Sequence, residues 1–356
     1  MKKNLTILIV LFSVKSWGQY TDLILPAPSP LVSSTIRIGV TDIGVEYSSP
    51  KANGRQIYGN IVPYTSDVPW RAGANSCTVV SFSTDVTIEG KPLKAGKYGL
   101  LMIPSERDAW TVIFSNNSDY WGGYYYNKAE DALRITVTPA PCNKRDELSY
   151  LFMESKFGSV TMALEWDVLR IPFKIEVNTV QNTLASLRRE LSGTKGNNWY
   201  SWIAAARFCL RNQVNLEEAL TWTDRAMNGG YGGYQATTNF MTLFVKHQVL
   251  SALGKTEAAS EAFNKALPLL NNVSDYDLLA SFYASQRKNE LAIETYNKAI
   301  KLYPTSYSLY QDLGNLYVTL KDMHKALELY NASLPYVPAE YKSRTLSVIN
   351  TLKAGK

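Results

Sequence analysis

Side chains that bind anions and sugars are concentrated in two stretches of the N-terminal half, residues 54–78 and 121–134. An Arg guanidinium is a planar fork of five donors that matches a carboxylate, phosphate or sulfate, and aromatic rings offer flat faces for stacking. We therefore expect a site for an anionic or glycan-like ligand here. The candidate ligand-binding residues are Arg55, Trp70, Arg71, Asn75, Trp121, Asp131 and Arg134.

A structural role is the competing interpretation of the same residues. Arg71 and Arg134 could pair with Asp131 or with loop carbonyls and hold the long 54–78 segment in place. Trp70 and Trp121 could equally fill the edge of a sheet. The sequence leaves both interpretations open.

Histidine-dependent catalysis is excluded from the N-terminal half, because the two His of the chain, His247 and His324, both lie beyond residue 240. Without an imidazole there is no Ser-His-Asp or Cys-His nucleophile and no His-rich zinc site. We expect both His to be structural, and we expect no metal and no cofactor. The alternative function is a His-independent hydrolase that acts on a glycan or an anionic ester at the loop site formed by residues 54–78 and 121–134. A glycosidase of this kind would need an acid and a base on opposite sides of the substrate. The carboxylates available are Asp108, Asp131, Glu154, Glu165 and Asp167.

The elements that must position these residues are short strands. Between residues 33 and 177 the chain contains brief runs rich in β-branched and aromatic residues, bounded by Gly, Pro, Asn or Asp; examples are STIRIGV, CTVVSFS and YGLLMIP. No sustained helical period interrupts them. The pattern predicts an antiparallel β-sandwich or jelly-roll-like domain of about ten strands.

Several segments of this region, in order, resemble a known bacterial family. They are GRQIYGNIVPY, WRAGAN, TDVTIEGKPLKAGKYGLLMIP, WTVIF and WGGYYYNKAEDALRI. They are similar to the family named domain of unknown function 2911, over most of residues 35–177. The resemblance implies a secreted all-β module, often followed by helical repeats, and it implies no established activity. Tyr58, where the family usually has Trp, and Cys77 depart from the family pattern.

Beyond residue 177 the pattern becomes helical and repeats. Eight residues recur 34 positions later with the same or a similar type: Tyr276, Leu279, Ala280, Tyr283, Ala292, Tyr296, Ala299 and Pro304. This period and this set of small and aromatic residues resemble tetratricopeptide repeats. We expect residues 178–356 to form an α-helical solenoid of about four repeats plus a capping helix.

A solenoid of this type has a concave groove that can hold an extended peptide or a partner surface. On the repeat pattern, the first helices should present Asp277, Ser281, Gln311 and Asn315 to that groove. We expect the repeats to contact a protein partner. The competing interpretation is a packing platform for the β-domain.

The N-terminus predicts export. Lys2 and Lys3 precede an apolar run from Leu5 to Val14, and small residues follow it near Gly18. This is typical of a signal peptide over residues 1–18, and the run is shorter than the roughly 20 residues of a membrane-spanning helix. We expect a periplasmic or extracellular protein with no transmembrane segment after cleavage.

Charge and cysteine content limit the remaining functions. Loss of Lys2, Lys3 and Lys15 with the signal peptide lowers the formal charge from +6 to +3, so nothing favours a nucleic-acid partner. Three Cys do not make a disulfide framework. Cys77 and Cys142 could still pair, whereas Cys209 lies in an apolar helical run and should be a buried thiol.

Overall fold

The computed structural model describes residues 26–64, 68–229 and 236–354. The chain divides into two compact units, Met1–Thr183 and Leu184–Lys356. The first is built from antiparallel sheets and the second from helices, which confirms the predicted fold class. The predicted signal peptide, residues 1–18, lies outside the described residues.

Ten strands of the described residues form two antiparallel sheets. The strands are β1 (Leu31–Ile38), β2 (Thr41–Ser48), β3 (Ala74–Phe82), β4 (Val86–Ile88), β5 (Lys91–Leu93), β6 (Gly96–Ile103), β7 (Trp110–Ser115), β8 (Asp131–Val137), β9 (Ala140–Lys156) and β10 (Ser159–Glu176). The six-stranded sheet has the order β1-β2-β3-β6-β7-β8, and the four-stranded sheet has the order β5-β4-β10-β9. The sheets form a sandwich around one core, in which the rings of Phe114 and Phe173 meet edge to face at 5.8 Å.

Alternation along the central strands gives the six-stranded sheet two buried faces. Leu100 and Met102 of β6 point into the main core, while Leu101 lies on the opposite face with Ile113. Residues 116–127 cover that opposite face, and the carbonyl of Tyr120 accepts a hydrogen bond from the Cys77 amide at 3.0 Å. The loop with the predicted Trp121 is therefore fixed to the outside of the sandwich.

Strands β9 and β10 form a long hairpin whose register is interrupted three times, before Thr161, before Asp167 and before Leu169. Glu165 lies opposite Ser149, and Asp167 lies opposite Arg145. A step of two residues along β10 therefore corresponds to a step of four along β9. The same two-residue excess of β9 recurs between Asp167 and Leu169. Bulges of this kind bend a strand and redirect its side chains.

The three Cys are free thiols. Cys77 lies on β3 of the six-stranded sheet and Cys142 on β9 of the other sheet, so the two belong to different layers of the sandwich. Cys209 is completely buried.

The second unit consists of helix pairs. The α-helices of the described residues are α1 (Thr179–Leu191), α2 (Trp199–Asn212), α3 (Leu216–Asn228), α4 (Phe240–Ala252), α5 (Thr256–Ala266), α6 (Val273–Ser285), α7 (Asn289–Leu302), α8 (Tyr307–Thr319), α9 (Met323–Ser333) and α10 (Ala339–Ala354). Helices α2 and α3, α4 and α5, α6 and α7, and α8 and α9 pack as successive pairs, and α10 packs on α9. None of these helices is both long and apolar enough to cross a bilayer.

Small residues of the repeat pattern lie where the helices of a pair touch. Ala280 and Ala292 are completely buried in α6 and α7. At Gly314 of α8, an added Cβ would come within 3.0 Å of the Tyr330 ring of α9. The second helix of a pair can approach closely only because these positions lack bulk.

Candidate functional site

Arg71 lies at a close contact between two loops of the β-domain. A Cβ added to Gly123 would lie 2.2 Å from the Pro69 carbonyl oxygen, and one added to Gly122 would lie 3.7 Å from Nη1 of Arg71. The Nε of Arg71 is buried and has no hydrogen-bond partner among the described residues. An unpaired buried donor costs about 1–3 kcal/mol, so among the described residues Arg71 is incompletely hydrogen-bonded.

Exposed aromatic rings lie beside this contact. The exposed fraction is 65% for Trp121 and 86% for Tyr124, and Tyr125 and Val68 are also exposed. Val68 approaches Gly123, since its Cγ1 is 2.7 Å from the position that a Cβ there would take. Grouped exposed apolar side chains are typical of binding surfaces. We call Val68, Arg71, Trp121 and Tyr124 the Arg71 surface.

Asp131 and Arg134 form a closed cluster with Tyr126. Arg134 donates from Nε to Asp131 and from Nη2 to the Tyr126 hydroxyl. That hydroxyl donates to Oδ2 of Asp131 at 2.8 Å. Burial, and then the bonded Asp131 carboxylate, raise the pKa of Tyr126. The three groups satisfy one another, which is the structural role considered above for Arg134.

Arg55 and Asn75 are also bonded within the domain. Arg55 donates from Nε to the Ala52 carbonyl at 3.0 Å. Asn75 has a φ of 54°, and its Nδ2 donates to the Ser48 hydroxyl at 3.1 Å and to the Ser29 carbonyl at 3.3 Å. Both side chains hold backbone segments together.

Trp70 fills the sandwich rather than the surface. Its ring stacks on Trp166 at 6.1 Å, and its Nε1 donates to the Gly73 carbonyl at 3.2 Å. The Trp70 backbone also pairs with Met102 of β6. Trp70 therefore anchors the segment that precedes Arg71.

The predicted ligand-binding residues thus separate into groups. The structure brings Arg71 together with the loop of Trp121, and Asp131 together with Arg134. Within the described part of the chain, no hydrogen bond or ion pair joins Arg71 to Arg55, Asn75 or Arg134. Val68 was missed by the sequence argument, because its position against Gly123 depends on a contact between distant loops.

Two carboxylates proposed for the alternative hydrolase are held by Arg. Asp131 pairs with Arg134, and Glu165 pairs with both Arg145 and Arg170. These partners satisfy the carboxylates as structural ion pairs. The two His have structural surroundings: Nδ1 of His247 is 2.9 Å from the Ala259 carbonyl, and His324 is 3.3 Å from Glu328 near the start of α9.

In the repeats, Asp277 and Ser281 of α6 contact the second helix of their own pair. The Tyr296 hydroxyl donates to Oδ1 of Asp277 at 3.0 Å and lies 3.2 Å from the Ser281 hydroxyl. One repeat later, the Tyr330 hydroxyl donates to Oδ1 of Asn315 at 2.6 Å. The same contact between first and second helix therefore recurs with the sequence period.

A cleft of about 670 Å³ lies between α8 and α10. Gln311 bridges these helices, because its Nε2 donates to the Thr345 hydroxyl at 3.1 Å. The rings of Tyr307 and Tyr341 stack at 6.5 Å. The polar and aromatic lining, which we call the α8–α10 cleft, includes Tyr307, Gln311, Asn315, Tyr341, Arg344 and Thr345.

Two of the four predicted groove residues, Gln311 and Asn315, line this cleft, whereas Asp277 and Ser281 lie on α6. Tyr341 and Arg344 were not among the predicted residues, since α10 was expected only to cap the stack. The signal was present, because Tyr341 follows Tyr307 by one period of 34 residues.

An acidic group lies close to the cleft. Burial, and then the nearby charge of Asp277, raise the pKa of Asp312 from its ordinary 3.8 to about 6. Asp312 lies on α8 and Asp277 on α6, so two successive first helices bring their carboxylates near each other. Like charges at close range favour the protonated form of one partner.

The chain is therefore a β-sandwich module followed by helical repeats. Residues 29–175 match the family described as protein of unknown function DUF2911, which confirms the resemblance for the β-domain. Residues 243–353 match the family described as ChAPs, Chs5p-Arf1p-binding proteins. No curated protein in the comparison matches the sequence significantly.

Solved structures resemble the chain only distantly. MamA is 18% identical with a TM-score of 0.30 and covers 47% of this chain and 92% of its own. YrrB, described as a TPR protein with an unusual peptide-binding site, is 16% identical with a TM-score of 0.29 and covers 48% of this chain and 84% of its own. BtubC from P. vanneervenii is 15% identical with a TM-score of 0.33 and covers 49% of this chain and 80% of its own. The assignment of repeats rests on the 34-residue period and on the helix pairs.

Proposed function

We propose that this protein is a non-catalytic scaffold whose helical repeats bind a protein partner. The observation that carries the proposal is the α8–α10 cleft, where predicted groove residues and a second set of aromatic and basic side chains line one cavity. The match of residues 243–353 to a family named for binding Chs5p and Arf1p supports the same class of function.

The lining of the cleft suits an extended peptide segment. Among the described residues, the Oε1 of Gln311 and the Nδ2 of Asn315 have no hydrogen-bond partner, so the two amides together can accept from and donate to the backbone of a peptide. Tyr307 and Tyr341 offer large apolar faces with few rotatable bonds to immobilise. Arg344 adds a positive charge, so we propose a segment that bears an acidic side chain or a terminal carboxylate.

A peptide array tests this function with the full mature chain as the probe. We expect saturable binding to peptides that contain an acidic residue, and loss of that binding in Arg344→Ala. Lys342→Ala is the matched control, because Lys342 is an exposed cation on the same helix that does not line the cleft. Equal binding by Arg344→Ala and the wild type would place the partner elsewhere.

The Arg71 surface supports a second binding activity in the β-domain. We propose that it takes an anionic or glycan-like ligand, because Arg71, whose Nε has no hydrogen-bond partner in the described part of the chain, lies beside the exposed Trp121 and Tyr124. Titration with sulfated and neutral oligosaccharides should show binding that is lost in Arg71→Ala. The control is Arg107→Ala, which removes an exposed Arg of the same domain. Binding that survives Arg71→Ala would reject this surface.

Export completes the proposed function and places both binding activities in the periplasm or outside the cell. Its support is the charged and apolar pattern of residues 1–18. Mass spectrometry of the exported protein should find Gln19 as its first residue. A Leu8→Asp variant should remain in the cytoplasm, because a charge interrupts the apolar run. An exported chain that retains residues 1–18 would contradict cleavage.

A further inference from the structure

A small basic cleft lies on the four-stranded sheet of the β-domain. It has a volume of about 360 Å³, within the lower range of small-molecule sites. Its lining contains three cationic side chains and one carboxylate among Asn143, Lys144, Arg145, Leu151, Glu165 and Arg170. It shares no residue with the Arg71 surface.

The single carboxylate of this cleft is buried and has two Arg partners. The Glu165 side chain is only 4% exposed. Its Oε2 accepts from Nε of Arg145 at 3.1 Å, and its Oε1 accepts from Nε of Arg170 at 2.6 Å. A buried carboxylate needs only one cation to balance its charge. The second guanidinium therefore leaves the cluster positive.

Unused donors accompany this excess charge. Among the described residues, the terminal nitrogens of Arg145 have no hydrogen-bond acceptor, and Lys144 has no ion-pair partner. Asp167 lies opposite Arg145 in the register, yet it pairs with neither Arg in the described part of the chain. The cleft thus presents donors and positive charge that the described residues of the domain do not satisfy.

The hairpin geometry supplies an independent observation. The register interruption between Asp167 and Leu169 places Asn143 and Lys144 within an excess of β9 residues over β10 residues. Asp167, between this interruption and the preceding one, has a φ of 52°, which is unusual for a residue with a side chain. Such bulges are over-represented beside binding sites, where they redirect side chains.

We propose that Lys144, Arg145 and Arg170 bind a phosphate or sulfate group of a small ligand. Arg145 and Arg170 supply forked donors, and Lys144 supplies a point charge at the mouth of the cleft. Glu165 is a positioning residue, because it holds both guanidinium groups in place and does not itself attract the anion. The cleft has room for further atoms of the ligand beside the anionic group.

Isothermal titration of the full mature chain with inorganic phosphate and sulfate tests the proposal, at low ionic strength to limit screening. We expect saturable binding of at least one of them. Arg145→Ala should weaken it by about tenfold or more, because a charged hydrogen bond is lost. The control Arg37→Ala removes an Arg that pairs with Asp42 on the surface of the same domain, and it should leave the affinity unchanged.

Lys144→Ala keeps the test decisive if Arg145→Ala unfolds the hairpin. Lys144 is exposed and has no structural partner in the described residues, so its removal should weaken binding several-fold with an unchanged near-UV circular dichroism spectrum. Wild-type affinity in Lys144→Ala and Arg145→Ala would overturn the proposal. Absence of saturable binding up to on the order of 10 mM would do the same. Acetate binding as tight as that of phosphate and sulfate would overturn the choice of anion.

Discussion

Individual polar side chains of the β-domain differ in how completely they are hydrogen-bonded. Asp131, Arg134 and Tyr126 complete one another's hydrogen bonds, whereas the buried Nε of Arg71 has no partner among the residues that the structure describes. Sequence predicted Arg71 and Arg134 as equivalent candidates, because residue type alone does not reveal which Arg finds a neighbour. That distinction depends on loops far apart in the chain.

The Tyr126 hydroxyl should contribute to stability, since it accepts from Arg134 and donates to the poorly exposed Asp131. We expect Tyr126→Phe to lower the free energy of unfolding of the β-domain by about 1–2 kcal/mol. Tyr124→Phe is the matched control, because Tyr124 is 86% exposed in the same loop. Urea unfolding of both variants provides the measurement, and equal midpoints would contradict the role of the cluster.

Asp312 should make the stability of the repeats depend on pH. Its folded pKa of about 6 lies above its ordinary 3.8, so its favourable contribution is complete below pH 3.8 and is lost as the pH rises through 6. Asp312→Asn should therefore stabilise the helices at about pH 7.5 and not at about pH 4. We expect roughly 1 kcal/mol, after allowance for partial exposure.

Chemical denaturation followed by far-UV circular dichroism at both pH values measures this difference. The control is Glu294→Gln, which removes an exposed carboxylate of α7. A gain for Asp312→Asn that is equal at both pH values would show that titration of Asp312 is not its cause.

The sequence predicted the presence of strands and helix pairs, but not the length of every strand. Short apolar runs such as Leu100, Leu101 and Met102 gave the strand pattern, and the recurrence of Tyr296 as Tyr330 gave the helix pairs. The long β9–β10 hairpin was predicted as separate short strands instead. Its bulges depend on the pairing of distant residues such as Glu165 and Ser149, which local periodicity does not contain.

The contact between the two loops of the Arg71 surface should depend on Gly123. Alanine there would place a Cβ 2.2 Å from a backbone oxygen, which a side-chain adjustment cannot relieve. We expect Gly123→Ala to destabilise the β-domain by about 2–4 kcal/mol and to displace the loop of Trp121. Unfolding midpoints and the near-UV spectrum measure both effects.

Gly54→Ala is the control for backbone conformation. Gly54 has a φ of +74°, but an added Cβ there would meet nothing within 4 Å. Gly54→Ala should lower the free energy of unfolding by about 1 kcal/mol, because only the left-handed backbone conformation opposes the Ala side chain. If the two variants are destabilised equally, the contact with Pro69 is not the cause.

For the chain as a whole, the order of a β-domain and helical repeats was predictable because the sequence period changes once. The exact residue at which the β-domain ends cannot be read from this pattern. Helix α1 contains the division between Thr183 and Leu184, and Thr179 donates from Oγ1 to the Phe157 carbonyl at 2.8 Å. Asn182 donates to the Thr84 hydroxyl at 2.9 Å, so both side chains bond to the β-domain.

A fragment that ends at Leu191 should be more stable than one that ends at the predicted boundary, Val177. We expect a difference of about 2 kcal/mol, because the shorter fragment loses the hydrogen bonds of Thr179 and Asn182. Urea midpoints of the two fragments measure the difference. Matching midpoints would assign α1 wholly to the helical unit.

The spacing of Tyr307 and Tyr341 has a consequence for how such a protein can change its length. Because α10 meets α8 through residues one period apart, an in-frame duplication of residues 305–338 would insert a complete helix pair between existing neighbours. Each new junction would reproduce an old one. Evolution or engineering can therefore lengthen the array in whole units and add further clefts of the α8–α10 type while the original contacts are preserved.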